Sequence, residues 1–168
     1  GVVERVYRLR ASILQSKEEQ MKITGQHHVG ITVSDIDKSI AFYRDVLGMK
    51  LESTSNMEGE FISNVVGVPG AVLKGANLSS DGLLLELFQY VAPKGGKQKA
   101  SLRQFDVGHY HLAFLVDDIE DAYKTLTAKG VKFSERPQYV PDGPDKGLGA
   151  IYFWDPDGIA LEFIQKPR

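Results

Sequence analysis

The chain has 168 residues and a formal net charge of −2 at neutral pH, a near balance that excludes a nucleic-acid protein working through a strongly basic surface. Its length and its 42% hydrophobic content are those of one globular domain, or of two small modules that share a core. Cysteine is absent and no apolar run is long enough to span a membrane, so disulfides, thiolate nucleophiles and Cys-ligated metals are excluded and a cytoplasmic protein is expected.

Strands and helices are predicted in the same order in the two halves of the chain. Residues 1–21 form an N-terminal extension, of which 1–20 have a loosely helical pattern. The first half is predicted to contain a strand, a helix and three further strands: His28–Val33, Asp35–Leu47, Met49–Ser53, Val72–Leu78 and Leu83–Tyr90. After a Lys- and Gly-rich linker over 91–108, the second half repeats them: His111–Val116, Asp118–Ala128, Val131–Ser134, Ala150–Trp154 and Ile159–Gln165. The order predicts an α+β domain over 22–167, with module one at 22–90 and module two at 109–167.

The amino-acid sequence of the two modules also repeats. The ten residues from His28 match those from His111 at an offset of 83, with His, Val, Asp and Ile recurring. Asp81–Gln89 matches Asp157–Gln165 at an offset of 76, and the Asp-Gly pair that opens each segment predicts a tight turn. Each module therefore carries one histidine on its first strand and one glutamate on its last strand.

These duplicated residues are the candidate metal ligands: His28, Glu86, His111 and Glu162. Each glutamate stands in a strongly apolar strand, where a carboxylate must be paired, metal-bound or exposed. The recurrence of the pair favours a pseudo-twofold centre whose imidazoles and carboxylates suit one Zn, Ni, Co, Mn or Fe(II) ion. The alternative is two histidines satisfied by backbone carbonyls and two exposed glutamates. His27 and His109 lack a counterpart in the repeat, and strand alternation predicts that His27 faces away from His28.

The segments around these ligands resemble the vicinal-oxygen-chelate superfamily, which includes glyoxalase I, methylmalonyl-CoA epimerase, extradiol dioxygenases and bleomycin-resistance proteins. The stretch from His28 to Met49, HVGITVSDIDKSIAFYRDVLGM, is similar to glyoxalase I around its first metal ligand, and WDPDGIALE over Trp154–Glu162 is similar to the segment carrying the last. The resemblance implies two tandem βαβββ modules that form a curved mixed-sheet cleft, the glyoxalase/bleomycin resistance/dioxygenase fold, around one divalent metal ion.

A metal-dependent lyase or isomerase acting on a small-molecule substrate is the function that this resemblance implies. The metal would be held by the four residues named above and would stabilise the oxyanion formed when a proton leaves the carbon next to a carbonyl. Glu162 is the first choice for the base that takes the proton, and Glu86 is the second. The resemblance also implies a homodimer. Some members complete their metal site with modules from two chains, so the sequence leaves open whether the two pairs meet within one chain.

Two other functions remain open from the sequence. One is a ring-cleaving Fe(II) extradiol dioxygenase, for which Glu86 would be a surplus carboxylate, and the other is a non-enzymatic protein that sequesters a drug-like molecule. Within the resemblance, Thr32 stands where glyoxalase I carries its glutathione-binding arginine, so glutathione is not implied as a co-substrate. Segments Asn56–Gly75 and Val140–Gly149 are candidates for loops that close over a substrate.

Overall fold

The computed structural model describes residues 22–96 and 103–167. The predicted N-terminal extension and the middle of the linker lie outside the described residues. The first module contains β1 (Val29–Thr32), α1 (Ile36–Ala41), β2 (Lys50–Glu58), α2 (Glu60–Val66), β3 (Val72–Ser80) and β4 (Leu83–Ala92). The second contains β5 (His111–Leu115), α3 (Ile119–Ala128), β6 (Gln138–Tyr139), β7 (Gly149–Trp154) and β8 (Ala160–Gln165). Within these ranges no helix has the length and apolar character needed to cross a bilayer.

Each module forms one four-stranded mixed sheet. The strand orders are β1-β4-β3-β2 and β5-β8-β7-β6. In each sheet the first and last strands of the module are parallel neighbours, while the remaining pairs are antiparallel. The predicted α+β class with two tandem four-stranded modules is confirmed.

Several predicted boundaries differ from the structure. The predicted loop Asn56–Gly75 contains the end of β2, the helix α2 and the start of β3. Helix α2 escaped prediction because only its Ile62 is buried, while Phe61 and Val65 are exposed, so it lacks an apolar face at helical spacing. The predicted strand Val131–Ser134 forms only an isolated bridge. The edge position of the second sheet is taken by the two-residue strand β6, which is too short for a periodic signal.

The helices α1 and α3 cover one face of their sheets, and the two modules share a single apolar core. Each helix begins after an aspartate, Asp35 or Asp118, whose side chain accepts a hydrogen bond from a backbone N–H of the first turn. Inward-facing residues of both sheets meet the helices in one cluster that includes Ile31, Leu85, Ile119, Phe153 and Leu161. The opposite face of each sheet carries no helix of this core. We call the face with His28 and Glu86 the first open face and the face with His111 and Glu162 the second open face.

The repeated glutamines at the end of the last strands anchor the helices. Gln89 Oε1 accepts a hydrogen bond from the Ile36 N–H at 3.0 Å, and Gln165 Oε1 accepts one from the Ile119 N–H at 2.8 Å. Both N–H groups belong to the first turn of a helix, where no intrahelical partner exists. The two glutamines therefore hold each helix in a fixed position over its own sheet.

Replacing Gln165 by leucine is expected to lower the free energy of unfolding by about 1–3 kcal/mol, because the N–H of fully buried Ile119 loses its acceptor. Urea unfolding of the two proteins measures the difference. Gln138→Leu is the control, because that side chain is exposed and bonds only the nearby Arg136 carbonyl. An equal effect of both substitutions would contradict the anchoring role of Gln165.

Hydrogen bonds from the first helical segment tie module one to module two. After α1 the helix continues as a π-helical turn over Phe42–Val46, in which Tyr43 is fully buried. Its hydroxyl donates to Asp155 Oδ2 at 3.0 Å, and the Ser34 N–H donates to Asp157 Oδ2 at 2.8 Å. Asp155 Oδ1 also accepts from the Ile159 N–H at 2.8 Å. The loop between β7 and β8 is thereby fixed against module one.

Burial raises the pKa of Asp155 above its ordinary value, although the Ile159 N–H and the Tyr43 hydroxyl act in the opposite direction. The folded protein then binds this proton more tightly than the unfolded chain does. The tighter binding of this proton stabilises the folded protein fully at a pH below the unfolded pKa of Asp155. This contribution to the free energy of unfolding is lost as the pH rises through the raised folded pKa.

Asp155→Asn removes this titration while keeping a side-chain oxygen for the Ile159 N–H. We expect the wild type to lose stability relative to Asp155→Asn as the pH rises from about 4 to about 8. Urea midpoints of both proteins, measured side by side across this range, test it. A difference that stays constant with pH would contradict the raised pKa.

Candidate metal centre

The first candidate pair lies where β1 runs parallel to β4. Gly30 is opposite Glu86 in the register, and His28 lies two residues before Gly30 on the same face. His28 Nε2 is 3.2 Å from Glu86 Oε2. A Cβ atom at position 30 would lie 3.8 Å from the imidazole, an ordinary van der Waals contact, so the His28 ring packs directly beside Gly30. We call His28 and Glu86 the first half-site.

The second candidate pair repeats this geometry in module two. Ala113 is opposite Glu162 in the parallel β5–β8 pairing, and His111 lies two residues earlier. His111 Nε2 is 3.1 Å from Glu162 Oε2. We call this pair the second half-site. The structure therefore forms both of the predicted His–Glu pairs, at equivalent positions of the two sheets.

Each half-site fits two neighbouring ligands of one divalent cation. Donor atoms bound at about 2.1 Å in adjacent octahedral positions lie about 3 Å apart, close to the two observed N–O distances. Both histidine side chains are 38% exposed and the glutamates are 25% and 13% exposed, so each pair is reachable from its open face. Imidazole nitrogen and carboxylate oxygen also suit Zn, Ni, Co, Mn and Fe(II).

The two half-sites do not meet within one chain. Across residues 22–96 and 103–167, no group of three or more His, Asp or Glu side chains is close enough to hold one metal ion. The single chain therefore presents two separate His–Glu pairs. Two protein ligands leave most coordination positions of a transition metal unfilled.

His27 differs from its prediction, because its ring turns towards His28. His27 Nδ1 lies 2.8 Å from His28 Nδ1, and the rings pack edge to face. The prediction was wrong because strand alternation does not extend to His27, which lies two residues before β1 begins at Val29, whereas His28 directly adjoins the strand. His28 thus points one ring nitrogen at Glu86 and the other at His27. His109 lies in a turn, where its N–H donates to the Asp106 carbonyl, and it belongs to neither half-site.

Two side chains that the sequence did not single out stand beside the glutamates. Asn77 on β3 is opposite Glu86, and its amide donates to Ser53 Oγ at 3.1 Å. Tyr152 on β7 is opposite Glu162, and its hydroxyl lies 3.3 Å from His111 Nε2. Partial burial, and then the negative charge of Glu162, raise the pKa of Tyr152, so its phenol remains protonated. Asn77 could have been selected from the sequence, because it is an amide between the apolar residues Ala76 and Leu78 of β3.

Comparison with known proteins agrees with the duplicated sheets. Residues 25–163 match the family described as the Glyoxalase/Bleomycin resistance protein/Dioxygenase superfamily. The chain belongs to this superfamily. The resemblance inferred from the segments around His28 and Glu162 is thereby confirmed.

Among its relatives in the superfamily is a 2-epi-5-epi-valiolone epimerase from an Actinomyces species, 34% identical over 146 residues that cover 84% of this chain and 79% of the relative. A lactoylglutathione lyase from Schizosaccharomyces pombe is 32% identical over 83% of this chain, which spans only 47% of that protein. The crystal structure of a glyoxalase family protein from Bacillus cereus superposes with a TM-score of 0.77 over 89% of this chain and 98% of that one, at 22% identity. This last likeness concerns the fold alone.

Proposed function

We propose that the protein is a metal-dependent isomerase of the epimerase type, which removes and returns a proton on the carbon next to a carbonyl group. The observation that carries the proposal is the duplicated His–Glu pair, which stands on equivalent rungs of the two sheets at distances that fit adjacent metal ligands. A relative of similar length is named an epimerase. A lyase that moves a proton between neighbouring carbons is the second candidate, because another relative is named lactoylglutathione lyase.

The four side chains of the half-sites would hold the cation: His28, Glu86, His111 and Glu162. When bound, a divalent cation polarises a carbonyl oxygen and makes the neighbouring C–H bond more acidic. The chain's own part is the proton transfer, for which a carboxylate within hydrogen-bond reach of the carbon is required. Glu162 is the proposed first base, and Glu86 is the proposed second. Two bases from different modules would allow a proton to leave one side of the carbon and return on the other.

A homodimer is the assembly that completes such a centre. Since one chain presents two separate half-sites, the first open face of one chain facing the second open face of its partner would join two histidines and two glutamates, twice per dimer. The second open face carries apolar surface suited to burial, with Leu115 65% exposed two residues beyond Ala113. Tyr110, next to His111, is 53% exposed.

Epimerisation is favoured over glutathione chemistry by residue 32. Thr32 lies on the first open face, two residues beyond Gly30, and faces away from the core as Gly30 does. The resemblance to glyoxalase I would require an arginine there to bind glutathione. A threonine hydroxyl offers no positive charge to a peptide carboxylate.

The proposal is tested by metal content and by hydrogen exchange. Purified wild type is expected to retain about one divalent ion per chain, since the proposed dimer has two complete centres. It is also expected to incorporate solvent deuterium next to the carbonyl of its substrate, because each proton that leaves the carbon exchanges with D₂O. The His111→Ala variant is expected to bind the metal at least about tenfold more weakly than the wild type, and so to retain less metal after purification. His109→Ala, outside both half-sites, is the matched control. Equal metal content in all three proteins would contradict the proposal.

A further inference from the structure

The residues that pair with each glutamate on the neighbouring strands form a row of uncharged hydrogen-bonding groups across the open face. On the first open face, Glu86 is followed by Asn77 and then by Ser53. On the second, Glu162 is followed by Tyr152, whose carbonyl accepts from the Ser134 N–H. Both modules thus place one amide or phenol donor on the strand next to the glutamate.

Among the described residues, the open-face positions next to either glutamate carry no positively charged side chain. The open-face positions next to Glu86, on its own strand and on the two neighbouring strands, are His28, Gly30, Thr32, Gly75, Asn77, Ser79, Leu84 and Phe88. Those next to Glu162 are His111, Ala113, Leu115, Ala150, Tyr152, Trp154, Ala160 and Ile164. None of these described positions is lysine or arginine. Further out on β2, Lys50, whose side chain is 75% exposed, forms an ion pair with Glu52 at 2.8 Å.

The charge of the proposed centre adds no attraction for an anion. Two glutamates contribute two negative charges, which cancel the two positive charges of a divalent cation, while neutral imidazoles add none. Away from the cation itself, a carboxylate or phosphate held against these faces would lose water without gaining a lysine or arginine partner from the positions named above. A hydroxyl group would find an amide, a phenol and serine hydroxyls that can both donate and accept.

We propose that the substrate is an uncharged polyhydroxylated ketone or aldehyde, and that Asn77 and Tyr152 bind the hydroxyl groups flanking its carbonyl. This inference rests on the proposed function, since it concerns the substrate of the same centre. It assigns both residues to substrate binding, and it disfavours a substrate that carries a charged group next to the reacting carbon.

The test compares deuterium incorporation from D₂O into three uncharged polyhydroxyketones, scyllo-inosose, D-tagatose and L-erythrulose, with incorporation into two anionic probes. These are the hemithioacetal of methylglyoxal with glutathione, and methylmalonyl-CoA. The full chain is loaded in turn with Zn, Ni, Co, Mn and Fe(II). We expect exchange next to the carbonyl of at least one neutral probe and at least about 100-fold slower exchange with both anions, as expected for unpaired charges at a site without cations. Exchange with an anion alone would overturn the substrate class and leave the proposed function intact. If none of the probes exchanges with any of the metals, both the substrate class and the proposed function are overturned.

Variants test the two binding residues separately. Asn77→Leu and Tyr152→Phe are expected to reduce kcat/KM for the neutral probe by about 10- to 100-fold each, mainly through KM, with metal content unchanged, because each removes hydrogen bonds to substrate hydroxyls. The matched controls are Asn56→Leu, on the opposite face of the same sheet, and Tyr139→Phe, whose hydroxyl donates to Glu120 on α3. Unchanged KM in both test variants, or equal loss in the controls, would overturn the assignment.

Discussion

Two variants that should each be strongly impaired alone, Glu86→Gln and Glu162→Gln, are expected to recover activity when they are combined in one dimer. The structure separates the first half-site from the second within a chain, so the proposed complete centre would take one half-site from each of two subunits. In a mixed dimer one centre then carries both substitutions, whereas the other carries none. The mixed dimer should have about half of the wild-type activity, because one of its two symmetric centres is intact.

The experiment uses two affinity tags to isolate the mixed dimer after co-expression. A dimer of two differently tagged Glu86→Gln chains is the control and should stay inactive. The reciprocal combination pairs wild type with a chain carrying both substitutions, which should be inactive because each centre receives one defective half-site. If each chain held its own centre, the outcomes would be reversed: the first mixed dimer would be inactive and the reciprocal one would keep about half of the activity.

The sequence predicted the fold and the pairing because both depend on short-range periodicity and on the repeat. A two-residue alternation along β1 and β5 places each histidine on the same face as the residue opposite its glutamate. The repeated glutamine at the end of β4 and β8 then keeps each helix on the other face. These relations are local to one module, and duplication shows each of them twice.

The arrangement of the modules could not be predicted, because it depends on contacts that have no periodic signal. Tyr43 reaches Asp155, and Ser34 reaches Asp157, across more than a hundred residues of sequence. These contacts have no counterpart in the repeat, since the residue equivalent to Ser34 is Asp117. The position of the loop between β7 and β8 against module one is therefore fixed by contacts that the repeat does not show.

The residues beside the glutamates were missed for a related reason. Asn77 lies nine positions before Glu86, whereas Tyr152 lies ten before Glu162, so the two do not align in the repeat. Their equivalence follows from the strand register, which depends on the turn between each pair of strands. In the first turn, Asp81 and Gly82 both have positive φ, whereas in the second only Gly158 does. The hairpin turn predicted at Asp81-Gly82 is confirmed, while the longer second turn shifts Tyr152 by one residue.

Replacing Glu162 by glutamine is expected to reduce kcat by about 100- to 10,000-fold, the usual contribution of a positioned general base. The amide keeps an oxygen that can face a cation, but it cannot take a proton from carbon. Glu162 is the more buried of the two glutamates, at 13% exposure against 25% for Glu86, so less water competes with a substrate for its carboxylate.

The measurement is the rate of deuterium incorporation next to the substrate carbonyl, together with metal per chain by elemental analysis. Glu86→Gln is compared at the same metal content, and Glu135→Gln, exposed on the loop before β6, is the control. If Glu162 is the first base, its variant exchanges more slowly than Glu86→Gln even when both hold metal equally. The reverse order would move the role of first base to Glu86, whereas an equal loss that follows the metal content would make both glutamates ligands without a role in proton transfer.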